Sequence, residues 1–276
     1  MLIAQISDCH VTIDGKAYGK APSNEALANA VSYLNTLVPA PDMVMVTGDI
    51  TDNGLKEEFC IASDILSLLR APFLIVPGNH DNRANLRAAF AHLTHLKADD
   101  PDGPVRYIDD TLPIRLVGMD STCPPRHGGG LTHDDLCWLE QVLAENRPSM
   151  VFMHHPPFSV GIGNMDAEGF INATILEEIL ARHPNVIRLC LGHMHRPVLR
   201  TFGRCTSCIA PSTGLQLVLD LTTNAPSQFI LEPGGLALHY LESSNHDPAG
   251  MVTHFGQIPG CGHTFPGPFP FYGIER

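Results

Sequence analysis

The chain has 276 residues, of which 44% are hydrophobic, so it suits one large α/β domain, or a core with an appendage, with a sizeable buried interior. Its 29 acidic and 17 basic residues give a net charge of -12, which repels polyanions and argues against nucleic-acid polymers and anionic membrane surfaces as partners. We therefore expect the partner to be a small molecule.

Six apolar runs predict strands in the first part of the chain, and most of these runs are continuous, as in strands that are buried on both faces. They cover residues 2–7, 43–47, 73–76, 114–119, 150–153 and 186–191. Helices are predicted between them, at residues 23–37 and 55–69 and after the candidate caps Thr132 and Asn172. Strands that alternate with helices indicate an α/β fold.

Past about residue 201 the apolar runs become shorter, and turn residues separate them. We expect a core over residues 1–200 and, over residues 201–276, a small β-rich cap or extension followed by a tail. The tail interleaves proline and glycine with four aromatic residues, Phe265, Phe269, Phe271 and Tyr272. Such a segment suits regular structure poorly but can cover a neighbouring surface, so a homo-oligomer formed through the cap is a further expectation.

The eight cysteines are scattered along the chain, which predicts separate thiols in a reducing compartment rather than a disulfide framework. The first residues show neither the basic segment nor the cleavage site of a secretory signal, and no apolar run approaches the roughly 20 residues of a membrane span. These features predict a cytoplasmic protein without a membrane partner.

Five short motifs follow directly on apolar runs, and each contains a carboxylate or an imidazole. They are Asp8-Cys9-His10, Gly48-Asp49, Gly78-Asn79-His80-Asp81, His154-His155-Pro156-Pro157 and Gly192-His193-Met194-His195. Strand ends hold such side chains rigidly, and carboxylates and imidazoles are ligands of divalent transition metals. One such motif is common by chance, but five in this order predict a two-metal hydrolase.

Two of the motifs place candidate ligands two residues apart. Asp8 and His10 face the same side of an extended strand end and can bind one ion, and the same holds for His193 and His195. The intervening Cys9 then faces away. Although a thiolate would bind zinc, we interpret Cys9 as a small buried residue.

The remaining motifs supply single ligands. Asp49 has two carboxylate oxygens, so it can bridge two ions roughly 3.5 to 4 Å apart. Asn79 offers a neutral amide oxygen, which binds a cation without adding charge. His154 and His155 are adjacent and point opposite ways on extended backbone, so one of them reaches a given site, and its position favours His154.

The five motifs, in this order, resemble the metallophosphoesterase superfamily over roughly residues 1–200. The overall length, Tyr18, the H-H-P-P motif and the β-rich carboxyl-terminal part are similar to its class III cyclic nucleotide phosphodiesterase and glycerophosphodiesterase-like branch. The resemblance implies a four-layer α/β/β/α sandwich of two mixed sheets. It also implies a first metal held by Asp8, His10, Asp49 and His195, and a second held by Asp49, Asn79, His154 and His193.

The resemblance implies catalytic roles as well. His80 acts on the substrate, as a proton donor or a contact to a phosphoryl oxygen, and Asp81 orients His80. Departures from other branches narrow the assignment: serine/threonine phosphatases have Asp-Arg-Gly where this chain lacks the arginine after Asp49, and lipid-A pathway pyrophosphatases have arginine in place of His80. Many cap-bearing relatives have a histidine near the segment 211–213, and this chain has none there.

Charge and chemistry favour a phosphodiester substrate. Two divalent ions contribute +4, the carboxylates of Asp8 and Asp49 remove 2 and a bridging hydroxide removes 1, which leaves about +1 opposite a substrate of charge -1. Metal coordination makes hydroxide available near neutral pH, and this hydroxide attacks in line while His80 protonates the leaving alkoxide. We therefore predict a binuclear metal-dependent phosphodiesterase for glycerophosphodiesters, 3',5'-cyclic nucleotides or both.

Two other functions stay open, a phosphomonoesterase of broad specificity and a metal-binding regulatory module without turnover. The ratio of diester to monoester hydrolysis separates the two enzymes, and turnover of any ester excludes the regulatory module. The metals can be iron, manganese, cobalt or zinc, because octahedral sites rich in histidine accept all four.

Several other residues carry weaker signals. Cys205 and Cys208 have C-x-x-C spacing without a second pair, and we interpret them as strand thiols rather than as a zinc or redox site. Tyr18, Arg83 and His127 are candidates for substrate contacts.

Two further expectations concern mobility and exposure. The three glycines at 128–130 suggest a mobile loop near the site. The histidines of the cap and tail are expected to be solvated, namely His239, His246, His254 and His263.

Overall fold

Strands and helices alternate through the computed structural model, which describes residues 1–222, 224–242 and 250–262. The strands are β1 (Leu2–Ile6), β2 (Met43–Thr47), β3 (Phe73–Val76), β4 (Arg106–Asp109), β5 (Arg115–Met119), β6 (Gly129–Gly130), β7 (Ser149–Phe152), β8 (Phe170–Ile171), β9 (Val186–Leu191), β10 (Val198–Phe202), β11 (Cys205–Ile209), β12 (Gln216–Leu217), β13 (Phe229–Ile230), β14 (Gly235–Tyr240) and β15 (Val252–Gln257). The helices are α1 (Ser23–Leu34), α2 (Lys56–Leu66), α3 (Arg83–Ala89), α4 (His133–Ala144), α5 (Gly163–Asp166) and α6 (Ala173–Arg182), with a 3₁₀ turn at Thr94–Leu96.

The first sheet has the order β15-β14-β1-β2-β3, with β1, β2 and β3 parallel and with β14 and β15 antiparallel to their neighbours. Every residue of β1 and β2 is buried, because helices cover one face of the sheet and the second sheet covers the other. Burial on both faces explains why these strands are continuous apolar runs.

The second sheet has the order β10-β11-β9-β7-β5-β4, with parallel strands in the centre and antiparallel strands at both edges. Its apolar residues alternate between two clusters. Leu116 and Phe152 pack in the cluster shared with the first sheet, whereas Val117 and Val151 pack against α4 and α6. The layers are helix, sheet, sheet and helix, so the predicted four-layer α/β/β/α sandwich is confirmed.

The helices begin close to the predicted positions. At α4 the Thr132 hydroxyl accepts a hydrogen bond from Asp135 N (3.1 Å), and the Asp135 carboxylate accepts one from Thr132 N (3.0 Å), which is a reciprocal cap. Asn172 precedes α6 as predicted, but it has a φ of 65° and its side chain donates to Leu131 O instead of capping the helix. None of the described helices combines the length and apolarity that crossing a bilayer requires.

Most strands after residue 201 pair with strands of the two sheets. β11 lies beside β9 in the second sheet, and β14 lies beside β1 in the first. In the described part of the chain, β12 and β13 form a separate pair. The segment is β-rich as predicted, and β11 and β14 extend the two sheets. Outside the described residues lie Phe265, Phe269, Phe271, Tyr272, His246 and His263.

The cysteines are free thiols, and all eight lie within the described residues. Cys205 and Cys208 are buried on β11, where the Cys205 thiol donates to Phe202 O (3.3 Å). Burial raises the pKa of Cys205 to about 11, so this thiol stays protonated at neutral pH. These contacts support the interpretation of the C-x-x-C pair as strand thiols.

A histidine lies between the two sheets. His239 on β14 is fully buried, so the expectation that it is solvated was wrong. Its Nδ1 lies 2.9 Å from Thr253 Oγ1 and its Nε2 3.2 Å from Gln5 Oε1, and both partners are neutral. Burial, together with the positive charge of Arg188, lowers the pKa of His239 to about 3.

We expect His239 to make stability depend on pH. The unfolded chain binds a proton near the ordinary pKa of 6.5, whereas the folded chain binds it only near about 3. Since the unfolded state binds more protons between these values, the contribution of His239 is complete above about pH 6.5 and is lost as the pH falls toward 3. The loss is about 1.4 kcal/mol per pH unit.

Denaturant unfolding of the wild type and of His239→Gln, between about pH 7.5 and about pH 4.5, measures this effect. The wild type should lose unfolding free energy more steeply with falling pH than the variant. Parallel pH profiles would contradict the prediction.

Candidate metal centre

The five motifs meet where the carboxyl ends of parallel strands from the two sheets come together. β1, β2 and β3 end just before Asp8, Asp49 and Asn79, and β7 and β9 end just before His154 and His193. In α/β folds this edge of a sheet is where ligands bind. A cavity of about 470 Å³ opens there, and Asp49, Asn79 and His193 are among the residues that line it.

The ligand atoms form overlapping groups. Asp8, His10 and His195 offer atoms within 4.8 Å of one another, and so do Asp8, Asp49 and His154. Asp49 Oδ2 lies 3.7 Å from His10 Nε2 and 3.3 Å from His154 Nε2, between the two groups. This position suits the bridging role predicted for Asp49.

His10 and His195 point ring nitrogens at each other. His10 Nδ1 lies 3.0 Å from Asp52 Oδ1 and His195 Nδ1 lies 3.0 Å from Leu215 O. Both partners are acceptors, so each Nδ1 carries a proton and, in the neutral ring, each Nε2 has a lone pair. The two Nε2 atoms are 3.1 Å apart. Facing lone pairs repel each other unless a proton or a cation lies between them, and this pair therefore fits a metal ion.

The surroundings of His154 also favour a bound cation. Its Nδ1 donates to Thr47 O (2.8 Å), while its buried Nε2 makes no hydrogen bond and lies 3.3 Å from Asp49 Oδ2 and 4.0 Å from Asp8 Oδ1. Burial lowers the pKa of His154, but the negative charges of Asp49 and Asp8 outweigh it and raise the pKa to about 9. A divalent cation would satisfy both carboxylates and the imidazole, so these residues fit the predicted metals.

His155 lies between Asn79 and two other imidazoles, with its ring centroid 4.7 Å from that of His154 and 4.6 Å from that of His193. The ring of His155 is fully engaged, because its Nε2 donates to Asn79 Oδ1 (3.1 Å) and its Nδ1 accepts from the Ser121 hydroxyl (2.9 Å). Burial, followed by the charges of His193 and His154, holds the pKa of His155 well below its usual range. His155 therefore orients Asn79, which supports the choice of His154 over His155 as a ligand.

Five of the seven predicted metal ligands have left-handed backbone, which the sequence analysis did not anticipate. Their φ values lie between 46° and 71°, and they are Asp8, His10, Asp49, His193 and His195. Asp8 and His10 converge through this turn and not through strand alternation, because β1 already ends at residue 6. Each such residue costs about 1 to 3 kcal/mol and persists where its surroundings over-determine it.

Backbone hydrogen bonds and a close approach hold these turns in place. Asp8 N donates to Gly48 O and His10 N to Asp49 O, both at 3.0 Å, so the loops after β1 and β2 run side by side. A Cβ at Gly78 would lie 2.2 Å from Asp49 Oδ1, so glycine is required there for the loop after β3 to pack on this carboxylate.

The Asp81 carboxylate was predicted to orient His80, but most of its hydrogen bonds are to backbone N–H groups. It accepts them from Gly78 N, Ile50 N and Thr51 N at 2.9 to 3.1 Å. Burial and the charge of Asp49 raise the pKa of Asp81 to about 6. Asp81 therefore fixes the backbone directly after Asp49 and at Gly78, while the ring of His80 donates to Asp52 O.

His80 lines the cavity beside the predicted metal ligands. Its Nδ1 donates to Asp52 O (2.7 Å) and its backbone N donates to Asp49 Oδ1 (2.9 Å). Its ring centroid lies 4.8 Å from that of His10. The ring is thus held at Nδ1, and Nε2 is the nitrogen that can exchange a proton with a substrate.

Two of the weaker candidates lie at the cavity. Tyr18 and His127 line it, with the Tyr18 ring 5.5 Å from that of Phe229. Arg83 instead donates to Asp120 Oδ2 (2.7 Å) and to Thr122 Oγ1 (2.8 Å), so it ties α3 to the loop after β5.

The glycines 128–130 are buried, and this corrects the expectation of a mobile loop. Gly129 and Gly130 form β6, which pairs with β8. A Cβ at Gly128 would lie 2.1 Å from Glu168 O, so small residues are needed for this close backbone approach.

Sequence reasoning did not single out two carboxylates that hold the imidazoles. Asp52 contacts His10, and Glu168 Oε2 lies 3.1 Å from His193 Nε2. Asp52 could have been found, since it lies three residues after Asp49. Glu168 follows α5 in a loop, and no periodicity points to it.

Over residues 1–197 the chain matches the family model described as calcineurin-like phosphoesterase. It is 35% identical, over 99% of its own length and 97% of the relative's, to the "Probable glycerophosphodiester phosphodiesterase GpdQ" of Arcobacter nitrofigilis. It is 36% identical to the "Glycerophosphodiester phosphodiesterase GpdQ" of Enterobacter lignolyticus, over 77% of each protein. It is 28% identical to the "3',5'-cyclic adenosine monophosphate phosphodiesterase CpdA" of Pseudomonas aeruginosa, over 94% of this chain and 90% of the relative.

Among solved structures, a dimetal phosphatase from Danio rerio has a TM-score of 0.65 at 15% identity, over 92% of this chain and 98% of the other. This likeness shows a shared fold.

Proposed function

The chain belongs to the calcineurin-like phosphoesterase family, and we propose that within this family it is a phosphodiesterase with two divalent metal ions. Small phosphodiesters are the proposed substrates, either glycerophosphodiesters or 3',5'-cyclic nucleotides. The observation that carries the proposal is the convergence of ring nitrogens of His10, His154 and His195 on the carboxylates of Asp8 and Asp49. The names of the relatives, GpdQ and CpdA, support a diester substrate.

The first proposed cation is held by Asp8, His10, Asp49 and His195, and the second by Asp49, Asn79, His154 and His193. The imidazole-rich donor set suits iron, manganese, cobalt or zinc. When bound, such ions supply Lewis-acid stabilisation of the phosphoryl oxygens and lower the pKa of water so that it can act as a nucleophile.

The chain's own residues orient the substrate and move the proton. His80 is fixed through Nδ1 by Asp52 O, so we place the leaving oxygen next to its Nε2, which gives up a proton as the ester bond breaks. Leu217 and Phe229 of the β12–β13 pair form an apolar wall of the cavity. This wall excludes water from one side of the substrate.

Hydrolysis rates after metal reconstitution test the proposal. Bis(p-nitrophenyl) phosphate should be hydrolysed faster than p-nitrophenyl phosphate, and a panel of glycerophosphodiesters and cyclic nucleotides should then identify the substrate class. A faster monoester reaction would favour the broad phosphomonoesterase. Full metal loading without turnover of any ester would favour the regulatory module.

We also propose a cytoplasmic location and association between copies of the chain. The eight free thiols support a reducing compartment. Among the described strands β15 is the edge of the first sheet and exposes Val252, and the neighbouring β14 exposes Tyr240 opposite it, which supports self-association at this edge. A monomer in light scattering would contradict the second proposal.

A further inference from the structure

His193 has a carboxylate at one of its two ring nitrogens. Its Nε2 lies 3.1 Å from Glu168 Oε2. An ionised carboxylate only accepts hydrogen bonds, so the proton of the imidazole is on Nε2. In this tautomer the lone pair is on Nδ1, and Nδ1 is the nitrogen left to meet a cation near His154.

We propose that Glu168 is a positioning residue for the second cation, which it serves through His193 without being a ligand. Glu168 fixes the tautomer and the ring orientation of His193 and increases the basicity of its Nδ1. This inference rests on the metal assignment of the proposed function.

Independent contacts fix both ends of this hydrogen bond. The backbone N of His193 donates to both carboxylate oxygens of Asp8, at 3.0 and 3.1 Å. On the other side, Gly128 packs directly on Glu168 O, and Gly129 N donates to Gly169 O (3.1 Å). The Glu168 side chain is 29% exposed and that of His193 is 6% exposed. The backbone of Glu168 is thus fixed at the wall of the cavity by its packing on Gly128, just before β6, and this presents the carboxylate to His193.

The affinity for the second cation should depend on Glu168 more than the affinity for the first, because the second site has less negative charge of its own. Asp8 and Asp49 both contribute charge to the proposed first site, whereas Asn79 is neutral and the second site has only its share of Asp49. A carboxylate behind His193 brings negative charge closer to the second cation. Such carboxylate–histidine–metal arrangements change metal affinity by about 10- to 100-fold when the carboxylate is removed.

Calorimetric titration of the metal-free protein with Mn²⁺ tests the inference through binding and not through activity. Glu168→Gln and Glu168→Ala should weaken the second binding step by about 10- to 100-fold and leave the first unchanged. Glu168→Asp, which keeps the charge, should recover part of the loss. Glu178→Gln is the matched control, since Glu178 is exposed on α6. In a titration with Co²⁺, the change in the visible spectrum on adding the second equivalent should differ between Glu168→Gln and the wild type.

The outcomes separate the two proposals. If the wild type binds two ions and the Glu168 variants bind both with wild-type affinity, the role of Glu168 is refuted while the metal assignment stands. Equal weakening of both steps would mean a general structural effect and would also refute it. If the wild type binds fewer than two ions, the metal assignment fails and this inference fails with it.

Discussion

Asp49→Ala should release both metal ions and lower phosphodiester turnover by about 10³-fold or more. Removing one hydrogen-bond donor to a transition-state oxygen typically costs about 10² to 10³-fold, and losing both ions should cost at least as much. The Asp49 carboxylate lies between His10 Nε2 (3.7 Å) and His154 Nε2 (3.3 Å). Burial raises its pKa, but the positive charges of His154 and then His80 outweigh burial and hold the pKa of Asp49 well below its usual range. The group is therefore an anion at neutral pH, and its removal takes charge from both sites.

Metal analysis after reconstitution and dialysis measures this effect. The wild type should retain two ions per chain and Asp49→Ala close to none. Asp49→Asn keeps the shape and an oxygen for the hydrogen bond from His80 N, so its metal content isolates the role of charge. Asp64→Ala serves as the control, because Asp64 is exposed on α2. One site still fully occupied in Asp49→Ala would refute the bridge.

His80→Ala should lower turnover by about 10² to 10⁴-fold while metal content stays at the wild-type level. His80 lines the cavity, contacts Asp49 through its backbone N, and has its ring fixed by Asp52 O. The lost function is the proton for the leaving oxygen. The loss should therefore be larger for a glycerophosphodiester, which releases a basic alkoxide, than for bis(p-nitrophenyl) phosphate, whose leaving group needs little protonation.

Steady-state rates with both substrates, alongside metal analysis, give the result. His133→Ala is a suitable control, since His133 is exposed at the start of α4. An unchanged rate would remove the role assigned to His80. An equal loss for both substrates would assign His80 to binding the phosphoryl group instead of proton transfer.

The core strands could be predicted from the sequence because they are buried on both faces. β2, β3 and β9 have the predicted bounds, since continuous apolar runs end where the backbone leaves the sheet. β4, β10 and β15 were missed. They lie at sheet edges and expose several residues, so hydrophobicity gives little signal there. The short helix α3, capped by the Asn82 side chain, was missed because seven residues show too few turns for a period.

The identities of the proposed site residues could be predicted better than their geometry. The family predicted from the five motifs is confirmed by the match over residues 1–197. The left-handed turns at Asp8 and Asp49 could not be predicted, because they depend on hydrogen bonds between loops that are distant in sequence. The hydrogen bonds of Asp81 could not be predicted for the same reason, because its partners include Ile50 and Thr51, about thirty positions earlier in the chain.

The pairing of β1 with β14 has a consequence for biosynthesis. Leu2 lies opposite Tyr240 and Gln5 opposite Ala237, so the strand that leads into Asp8 receives this neighbour only after residues 7–234 have been synthesised. Contacts so remote along the chain form late, because the entropy of closing the intervening loop opposes them. A nascent chain that has not yet left the ribosome beyond residue 235 lacks one neighbour of β1, so we expect the first sheet to form fully only after β14 has emerged.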